Sequence, residues 1–207
     1  YETAWTMLHR LRRAMVRPSR ELLTGEVEVD EAYLALTERG KPKSSKANKS
    51  NTTKLLVVIA VEILQPKSFG RIRVRRIEKA DFINLIPFIR ESIDTGASIH
   101  TDGSTAYTKL KDEGYEHRRT VHLGSDVQAH DSMPGVHRVA ALLQRWLLGT
   151  HHGAIQPKQL DYYLDEFVFR FNRRTSKSRG LLFYRLVQQA IVTSPVTYKK
   201  VIGKTGE

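Results

Sequence analysis

The ten residues Gly25-Glu-Val-Glu-Val-Asp-Glu-Ala-Tyr-Leu34 decide the fold, because they predict a strand with different chemistry on its two faces. Successive side chains of a strand point to opposite faces. Three acids, Glu26, Glu28 and Asp30, therefore share one face, while two valines point the other way into an apolar layer. We single out Asp30 as the first candidate catalytic residue. The same pattern also fits a half-exposed strand whose acids only contact water.

Other strands and a helix follow in an order that predicts a mixed sheet. Residues 55–61 are an unbroken apolar run typical of a strand buried on both faces, and residues 71–77 alternate like a half-exposed strand. Residues 79–94 predict a helix, and residues 98–102 a further strand. We therefore expect an α/β fold, with three antiparallel strands, then a strand parallel to the first, and helices flanking the sheet.

A second acid stands at the end of a strand, in Thr101-Asp-Gly-Ser-Thr-Ala-Tyr107. Strand ends are where α/β sheets place their chemistry, so Asp102 is a second candidate catalytic residue. The alternative is that Asp102 caps the following helix, which is a common role for Asp before a turn. Two such acids on neighbouring strands favour a shared site.

The remainder of the chain predicts mainly helices. The predicted elements are a short strand and loop in residues 121–133, a helix from Pro134 to about Leu148 closed by Gly149, a helix over 160–171, a final short helix over 181–192, and a frayed tail over 199–207. His137 and Gln144 lie two turns apart on the first of these helices. They share a face that points away from the apolar stripe of that helix.

Composition favours a polyanionic partner. The 207 residues include 34 Lys and Arg against 22 Asp and Glu, which gives a formal net charge of +12. Nucleic acid is the leading partner for so basic a chain. No apolar run approaches the roughly 18 residues of a membrane span, so we expect no membrane partner and a cytoplasmic protein. The absence of cysteine excludes disulfides and thiolate metal sites from this sequence.

Three basic segments are candidates for contact with a DNA backbone. Residues 1–17 predict a helix with arginines between its apolar residues Trp5, Leu8, Leu11 and Met15. Residues 38–53 predict a mobile basic loop, and residues 172–179 form a basic cluster at a helix end. The assigned side chains are Arg10, Arg12, Arg13, Lys43, Lys46, Arg173 and Arg174. The alternatives are a helix packed on the domain with solvated arginines, a solvated hairpin loop, and cations placed favourably at a helix C-terminus.

Four motifs together resemble one family, the ISXO-like insertion-sequence transposases. They are Val27-Glu-Val-Asp-Glu-Ala-Tyr33, Thr101-Asp-Gly-Ser-Thr-Ala-Tyr107, His137-Arg-Val-Ala-Ala-Leu-Leu-Gln-Arg-Trp-Leu-Leu-Gly-Thr-His151 and Tyr163-Leu-Asp-Glu-Phe-Val-Phe-Arg-Phe-Asn-Arg-Arg174. The family consists of bacterial DDE-type enzymes with a ribonuclease-H-like domain. The resemblance covers roughly residues 1 to 190 and implies a ribonuclease-H-like mixed sheet that cuts and joins DNA.

The resemblance also implies a metal-binding triad. Asp30 and Asp102 match its first two members, and the third matches His137, which follows Asp102 by 35 residues. The family has Glu or Asn there and a Lys seven residues later, where this chain has Gln144. Two carboxylates can hold Mg²⁺ ions beside a scissile phosphate, whereas the softer His imidazole matches Mn²⁺ better. We expect Mg²⁺ or Mn²⁺ at these three residues, and DNA contact from Gln144 and Arg145.

The predictions amount to a transposase acting on double-stranded DNA, both transposon ends and target, as a homodimer in a synaptic complex at the bacterial nucleoid. The predicted divisions are a basic helix (1–19), a catalytic domain (20–192) and a tail (193–207). The family implies a zinc ribbon ahead of this domain, so we expect the sequence to be truncated. Because His137 and Gln144 depart from the family pattern, a catalytically decayed DNA-binding remnant is the alternative. A nuclease on the same fold that cuts without joining is a third reading.

Overall fold

Contacts within the chain define two compact units. The computed structural model describes residues 2–17, 19–37, 52–64, 68–120, 132–153 and 155–203. Residues 22–155 form one unit, which we call the sheet unit, and residues 1–21 with 156–207 form the other, which we call the helical unit. The predicted divisions, 1–19, 20–192 and 193–207, fall at other positions along the chain. The predicted loop over 38–53 lies outside the described residues, except for its last two.

A mixed sheet organises the sheet unit. Its strands are β1 (Glu26–Thr37), β2 (Thr52–Leu64), β3 (Ser68–Ile77), β4 (Ser98–Asp102) and β5 (Glu116–Thr120). They lie in the order β3-β2-β1-β4-β5. The β1, β2 and β3 strands pair antiparallel, whereas β4 pairs parallel with both β1 and β5. This arrangement confirms the predicted ribonuclease-H-like mixed sheet.

The fifth strand was not predicted. Its sequence, Glu-His-Arg-Arg-Thr, has no apolar side chain and so gives no alternating apolar pattern. It forms because β4 offers it a backbone ladder from Ser98 to Asp102. Its cross-strand side chains add two hydrogen-bonding contacts, between Thr101 and His117 (2.9 Å) and between His100 and Thr120 (2.6 Å). Backbone pairing, rather than an apolar face, therefore places β5 in the sheet.

Helices cover both faces of the sheet. The helices of this unit are α2 (Phe82–Ser92), a 3₁₀ helix (Thr105–Leu110) and α3 (Pro134–His151). Leu85 and Ile89 of α2 belong to one buried cluster with Val27 and Val29 of β1. The α3 helix contacts β1 and β2, and buries its apolar residues Val136, Val139, Leu143 and Leu147. The strand β2 lies between these layers, and its residues 57 to 61 are wholly buried, as its unbroken apolar run predicts.

Helix ends differ from their predicted positions for local reasons. The α2 helix begins at Phe82 because the Asp81 side chain accepts the Asn84 backbone N–H at 3.0 Å. The prediction that Gly149 closes α3 is wrong. The helix continues through Gly149 to His151 and ends where His152 and Gly153 both adopt positive φ. Left-handed backbone at these two residues, rather than the first glycine, stops the helix.

The helical unit contains α1 (Glu2–Ala14), a short 3₁₀ helix (Pro157–Gln159), α4 (Leu160–Asn172), α5 (Gly180–Val192) and α6 (Tyr198–Val201). The prediction of a frayed tail is wrong for the described part of residues 199–207, because α6 buries Val201. Its N-terminus is capped by Thr197, whose side chain accepts the Lys200 backbone N–H. Residues 204–207 lie outside the described part of the chain. Among the described residues, no helix combines the length and apolarity that a membrane crossing requires.

The buried residues of α1 include polar ones that its apolar stripe did not predict. Of that stripe, Trp5, Leu11 and Met15 are half-buried and Leu8 is 52% exposed, whereas Thr6, His9, Arg12 and Ala14 are buried. Arg12 lies over the Tyr163 ring at 4.3 Å and forms an ion pair with Glu166 of α4 at 2.8 Å. A buried guanidinium requires such partners because leaving water is unfavourable for a charge. Arg12 therefore packs between α1 and α4 beside the apolar residues of α1.

A second acid of α4, Asp165, is largely buried near cations. Its Oδ2 lies 3.6 Å from Arg13 Nη1. Burial raises the pKa of Asp165 to about 6, and the positive charges of Arg13 and Arg20 offset only part of that rise. The folded chain therefore binds a proton at Asp165 more tightly than the unfolded chain does.

This difference predicts a pH dependence of stability. Between the ordinary Asp pKa of about 3.9 and the folded value of about 6, the unfolded state binds fewer protons at this group than the folded state. The contribution of Asp165 to the free energy of unfolding is therefore greatest below about pH 4 and falls as pH rises to about 6. We expect Asp165→Asn to flatten this decline in denaturant unfolding at a series of pH values. Asp112→Asn, which alters an exposed acid, is the control, and equal slopes for wild type and Asp165→Asn would contradict the prediction.

Candidate active site

Asp30 and Asp102 stand at equivalent positions where two parallel strands separate. The ladder between β1 and β4 ends at the pair Glu28 and His100. Asp30 lies two residues beyond Glu28, and Asp102 two residues beyond His100. Neighbouring strands lie roughly 4.8 Å apart, and the carboxyl ends of parallel strands meet at the same edge of a sheet. The sheet topology therefore brings the two predicted acids to one place.

A third acid, Glu31, lies close to both. It is on the face of β1 opposite to Asp30, and its Oε1 accepts a hydrogen bond from the hydroxyl of the buried Tyr107. Burial raises the pKa of Glu31 to about 7. The Tyr107 hydrogen bond opposes this rise, while the negative charges of Asp30 and Asp102 add to it. Both aspartates therefore act electrostatically on Glu31 across the strand.

Backbone hydrogen bonds hold both aspartates in place. Asp30 Oδ1 accepts the Glu31 backbone N–H at 2.8 Å, and Asp102 Oδ1 accepts the Ser104 backbone N–H at 2.9 Å. The cap of the following 3₁₀ helix is Ser104, whose side chain accepts the Ala106 backbone N–H at 3.3 Å. Asp102 therefore orders the turn before the helix and is not itself the N-cap residue.

The start of α3 is fixed to β1 by Glu28. This side chain is only 4% exposed, and its Oε2 accepts the Val136 backbone N–H at 2.9 Å. Burial raises the pKa of Glu28, whereas hydrogen bonds from the Val136 and Gly135 amides lower it. The N-cap residue of α3, Met133, makes no side-chain capping bond. A carboxylate from the strand therefore satisfies the amides at the helix start.

This close approach of helix and strand requires glycine at position 135. A Cβ atom at Gly135 would lie 2.8 Å from Glu28 Oε2 and 2.8 Å from Ile63 Cδ1. Those distances are shorter than van der Waals contact, so a side chain here would displace the ends of the Glu28 and Ile63 side chains and disturb the hydrogen bond from Val136 to Glu28. His137 follows two residues later. The position of His137 relative to Asp30 therefore depends on the contact between Glu28 and Gly135.

The third predicted ligand carries a nitrogen with unused bonding capacity. His137 Nε2 is buried and has no hydrogen-bond partner in the described part of the chain. Carboxylate oxygens suit Mg²⁺ or Mn²⁺, and an imidazole nitrogen suits Mn²⁺, so these donor types fit a divalent ion. Within the described residues, however, no group of three His, Asp or Glu side chains is arranged to hold a metal. Asp30, Asp102 and His137 are therefore not assembled as one metal-holding group among the described residues.

Gln144 is engaged within the chain. Its Nε2 donates to the Ala35 carbonyl oxygen at 3.2 Å, and its Oε1 accepts the Ala35 backbone N–H at 3.3 Å. The pairing of β4 with β1 stops at Glu28, so the amide of Gln144 pairs with β1 beyond that ladder. The Gln144 side chain therefore forms, with the backbone of β1, the two hydrogen bonds that a neighbouring strand would otherwise form. Its neighbour Arg145 is exposed.

The other predicted DNA contacts occupy varied settings. Arg10 donates to the Val196 carbonyl oxygen, Arg12 and Arg13 pair with Glu166 and Asp165, Arg173 and Arg174 stack over Phe169 and Phe171, and Lys43 and Lys46 lie outside the described residues. The arginines of α1 are therefore largely used for internal contacts. Those at the end of α4 lie over aromatic rings.

Sequence reasoning missed four residues of this site: Glu28 as a helix anchor, Glu31, Tyr107 and Gly135. One signal could have identified Glu31, because strict alternation places it on the same face as Val27 and Val29. An acid on a core-facing position requires a buried partner. No local pattern indicated that this partner is Tyr107, which lies 76 residues away.

Two glycines of the same helix provide a matched test of the anchor. Gly135→Ala should lower the free energy of unfolding by about 1–3 kcal/mol, because its methyl group would overlap Glu28 and Ile63. Gly149→Ala, where an added Cβ meets nothing within 4 Å, should leave stability unchanged or raise it by up to about 1 kcal/mol. Denaturant unfolding of both variants checks this. Equal effects of the two substitutions would refute the role of Gly135.

Comparison with known proteins identifies the family of the chain. The model of the family described as "ISXO2-like transposase domain" matches residues 22–172. No curated protein sequence matches the chain. Among solved structures, the catalytic core domain of BIV integrase has a TM-score of 0.43 and 11% sequence identity over 80% of this chain and 95% of that one. A pre-cleavage Mos1 transpososome has a TM-score of 0.33 and 14% identity over 100% of this chain and 64% of that one.

The family match carries the assignment, since the two structural likenesses are distant. It covers more than half of the chain and includes β1, β4 and α3, with Asp30, Asp102 and His137. The chain therefore belongs to the ISXO2-like transposase family.

Proposed function

We propose that this chain is a transposase domain that cuts DNA strands and joins the ends of an insertion sequence to a target, with a divalent metal held by Asp30, Asp102 and His137. The observation that carries the proposal is the placement of Asp30 and Asp102, each two residues beyond the last pair of the β1–β4 ladder, in a chain of this family. Carboxylates where two parallel strands separate are well placed to hold cations against a phosphate.

A bound metal ion would supply positive charge at this acidic site. When bound, Mg²⁺ or Mn²⁺ would stabilise charge on the scissile phosphate and lower the pKa of an attacking water or 3′-hydroxyl. Asp30 and Asp102 would provide carboxylate oxygens, and His137 the nitrogen that has no partner among the described residues. Either ion, Mg²⁺ or Mn²⁺, can bind carboxylate oxygens, and Mn²⁺ also suits the imidazole nitrogen.

The remaining residues position these ligands. Phosphoryl transfer depends mainly on holding reacting groups in place. The hydrogen bond from Tyr107 to Glu31 links β1 to the helix that follows β4, and so links the elements that carry the two aspartates. On the opposite face of β1, Glu28 holds the start of α3 and thereby the position of His137.

The substrate and assembly follow from the same proposal. A chain with a net charge of +12 attracts the DNA backbone. The transposon ends and the target would be double-stranded DNA in the cytoplasm, at the bacterial nucleoid. We further propose that two copies of the chain act as a homodimer, each on one transposon end.

Removing either aspartate should abolish catalysis. Asp30→Asn and Asp102→Asn each remove a negative charge that would hold the metal, so nicking of supercoiled plasmid with Mg²⁺ or Mn²⁺ should fall by roughly 100-fold or more. A strand-transfer assay on the same preparations tests joining. Asp112→Asn, at an exposed acid outside the site, should nick like wild type. Undiminished metal-dependent cutting by both site variants would rule out the proposed site.

The identity of residue 137 should set the metal preference. In His137→Glu a carboxylate replaces the imidazole, which should raise nicking with Mg²⁺ relative to nicking with Mn²⁺. The control is Ala141→Glu, which adds the same charge at an exposed position on α3. The ratio of Mg²⁺ to Mn²⁺ activity in the three proteins is the measurement. An unchanged ratio in His137→Glu would remove His137 from the ligand set.

One observation favours a second candidate, a DNA-binding remnant without catalysis. Where the family resemblance implies a lysine, Gln144 brings no positive charge, and its amide is held by Ala35. Such a protein would bind DNA with strong salt dependence and without regard to Mg²⁺. It would nick DNA with neither metal, whereas the proposed transposase requires one.

A further inference from the structure

Most of the excess positive charge lies in the smaller of the two units. The helical unit carries fifteen Lys and Arg against six Asp and Glu, a net charge of +9. The sheet unit is nearly twice as long, yet its nineteen Lys and Arg against sixteen Asp and Glu leave only +3. If DNA is the substrate, its phosphates should meet cations of the helical unit that lack acidic partners.

Several arginines of this unit are already neutralised within the chain. Arg12 pairs with Glu166 at 2.8 Å, Arg13 lies 3.6 Å from Asp165, and Arg170 pairs with Glu166 at 2.9 Å. An anion approaching these guanidinium groups would compete with the carboxylates of α4. They are poor candidates for a phosphate site, although two of them lie on the helix that the sequence marked for DNA contact.

Three other arginines come together around one apolar contact. Ala14 at the end of α1, Phe169 of α4 and Leu186 of α5 pack in a single buried cluster. Arg17 follows Ala14 by three residues, Arg173 follows Phe169 by one helical turn, and Arg185 directly precedes Leu186. Each of the three segments therefore carries an arginine within four residues of a member of the same cluster.

The electrostatics of Arg173 agree with this placement. Burial lowers the pKa of Arg173, and the positive charges of Arg17 and Arg185 lower it further. Within the described residues, none of these three arginines makes an ion pair with a carboxylate. Like charges held together without a counter-charge repel one another, so a bound anion would relieve that repulsion.

The central guanidinium is also held in a fixed position. Arg173 lies 3.9 Å from the centre of the Phe169 ring, and its Nη1 donates to the Phe169 carbonyl oxygen at 3.4 Å. Stacking on an aromatic ring restricts the side chain before a ligand arrives. Planar guanidinium groups match the oxygens of a phosphate in a paired geometry, which a lysine cannot reproduce.

We propose that Arg17, Arg173 and Arg185 form a binding site for the phosphate backbone of duplex DNA. This inference rests on the proposed function for the choice of DNA as ligand. It moves the main backbone contact away from Arg12 and Arg13, and it adds two arginines, Arg17 and Arg185, to the predicted contact at Arg173. Because phosphates carry no sequence information, this contact should be equally strong for unrelated sequences.

The test measures binding apart from catalysis. Fluorescence anisotropy of a labelled duplex of random sequence is recorded over a range of salt concentrations, in EDTA, with the full chain. Arg17→Gln, Arg173→Gln and Arg185→Gln should each weaken binding and reduce the slope of log K against log salt by about one, and the triple variant by about three. Arg17 and Arg185 are exposed, so their substitutions leave the fold intact. Circular dichroism checks this for every variant.

A matched control lies on the same helix. Arg170→Gln removes the same charge three residues before Arg173, from an arginine that is already paired with Glu166. Its salt slope should stay near the wild-type value. If wild type binds DNA and the three site variants keep the same slope as Arg170→Gln, the inference fails while the proposed function stands.

Two further outcomes separate the explanations. Absence of duplex binding by the wild type in EDTA would overturn the inference together with the proposed DNA substrate. Binding of inorganic pyrophosphate is measured in parallel as a small-anion probe. Variants that lose pyrophosphate affinity but keep their duplex affinity would show a small-anion site rather than a DNA contact, and would also overturn the inference.

Discussion

The buried carboxylate of Glu28 is the interaction on which the geometry of the site depends. A carboxylate removed from water is unfavourable unless hydrogen bonds and positive charge replace its hydration. Glu28 receives both from the first turn of α3, where the Val136 amide donates to it and the helix dipole is positive. The helix also gains from this contact, because its own N-cap residue provides no side-chain cap for the amides of the first turn. Strand and helix are joined at one point, and Gly135 keeps that point clear of side-chain atoms.

The acidic site itself shows how the fold accommodates like charges. The negative charges of Asp30 and Asp102 both raise the pKa of Glu31. The chain reduces this repulsion at Glu31. There, Tyr107 donates a hydrogen bond to Glu31, and the raised pKa of Glu31 lets this carboxyl group hold a proton up to about pH 7. The two aspartates are the residues that would offer carboxylate oxygens to the proposed metal.

In the helical unit, positive charges are stabilised where carboxylates lie nearby. Where acids of α4 are present, arginines pair with them and serve packing, as Arg12 does with Glu166. Where acids are absent among the described residues, arginines from three segments gather around the cluster of Ala14, Phe169 and Leu186. The difference between a structural and a ligand-binding arginine is therefore the presence of a nearby carboxylate. Helical periodicity alone did not distinguish them.

The sequence by itself determined the features that depend on local pattern. Alternation along β1 placed Asp30 opposite the valines, the unbroken apolar run placed β2 between two layers, and the order of strands and helices predicted the mixed sheet that the structure confirms. Tertiary structure alone decided the features that depend on partners distant in sequence. These include β5, the burial of Arg12 on α1, the hydrogen bonds of Gln144 to Ala35, and the contact of Glu28 with α3. The physical reason is that periodicity indicates which side of an element is apolar. The burial of a charge depends instead on a partner group that compensates for its lost hydration, and that partner lies far away in the sequence.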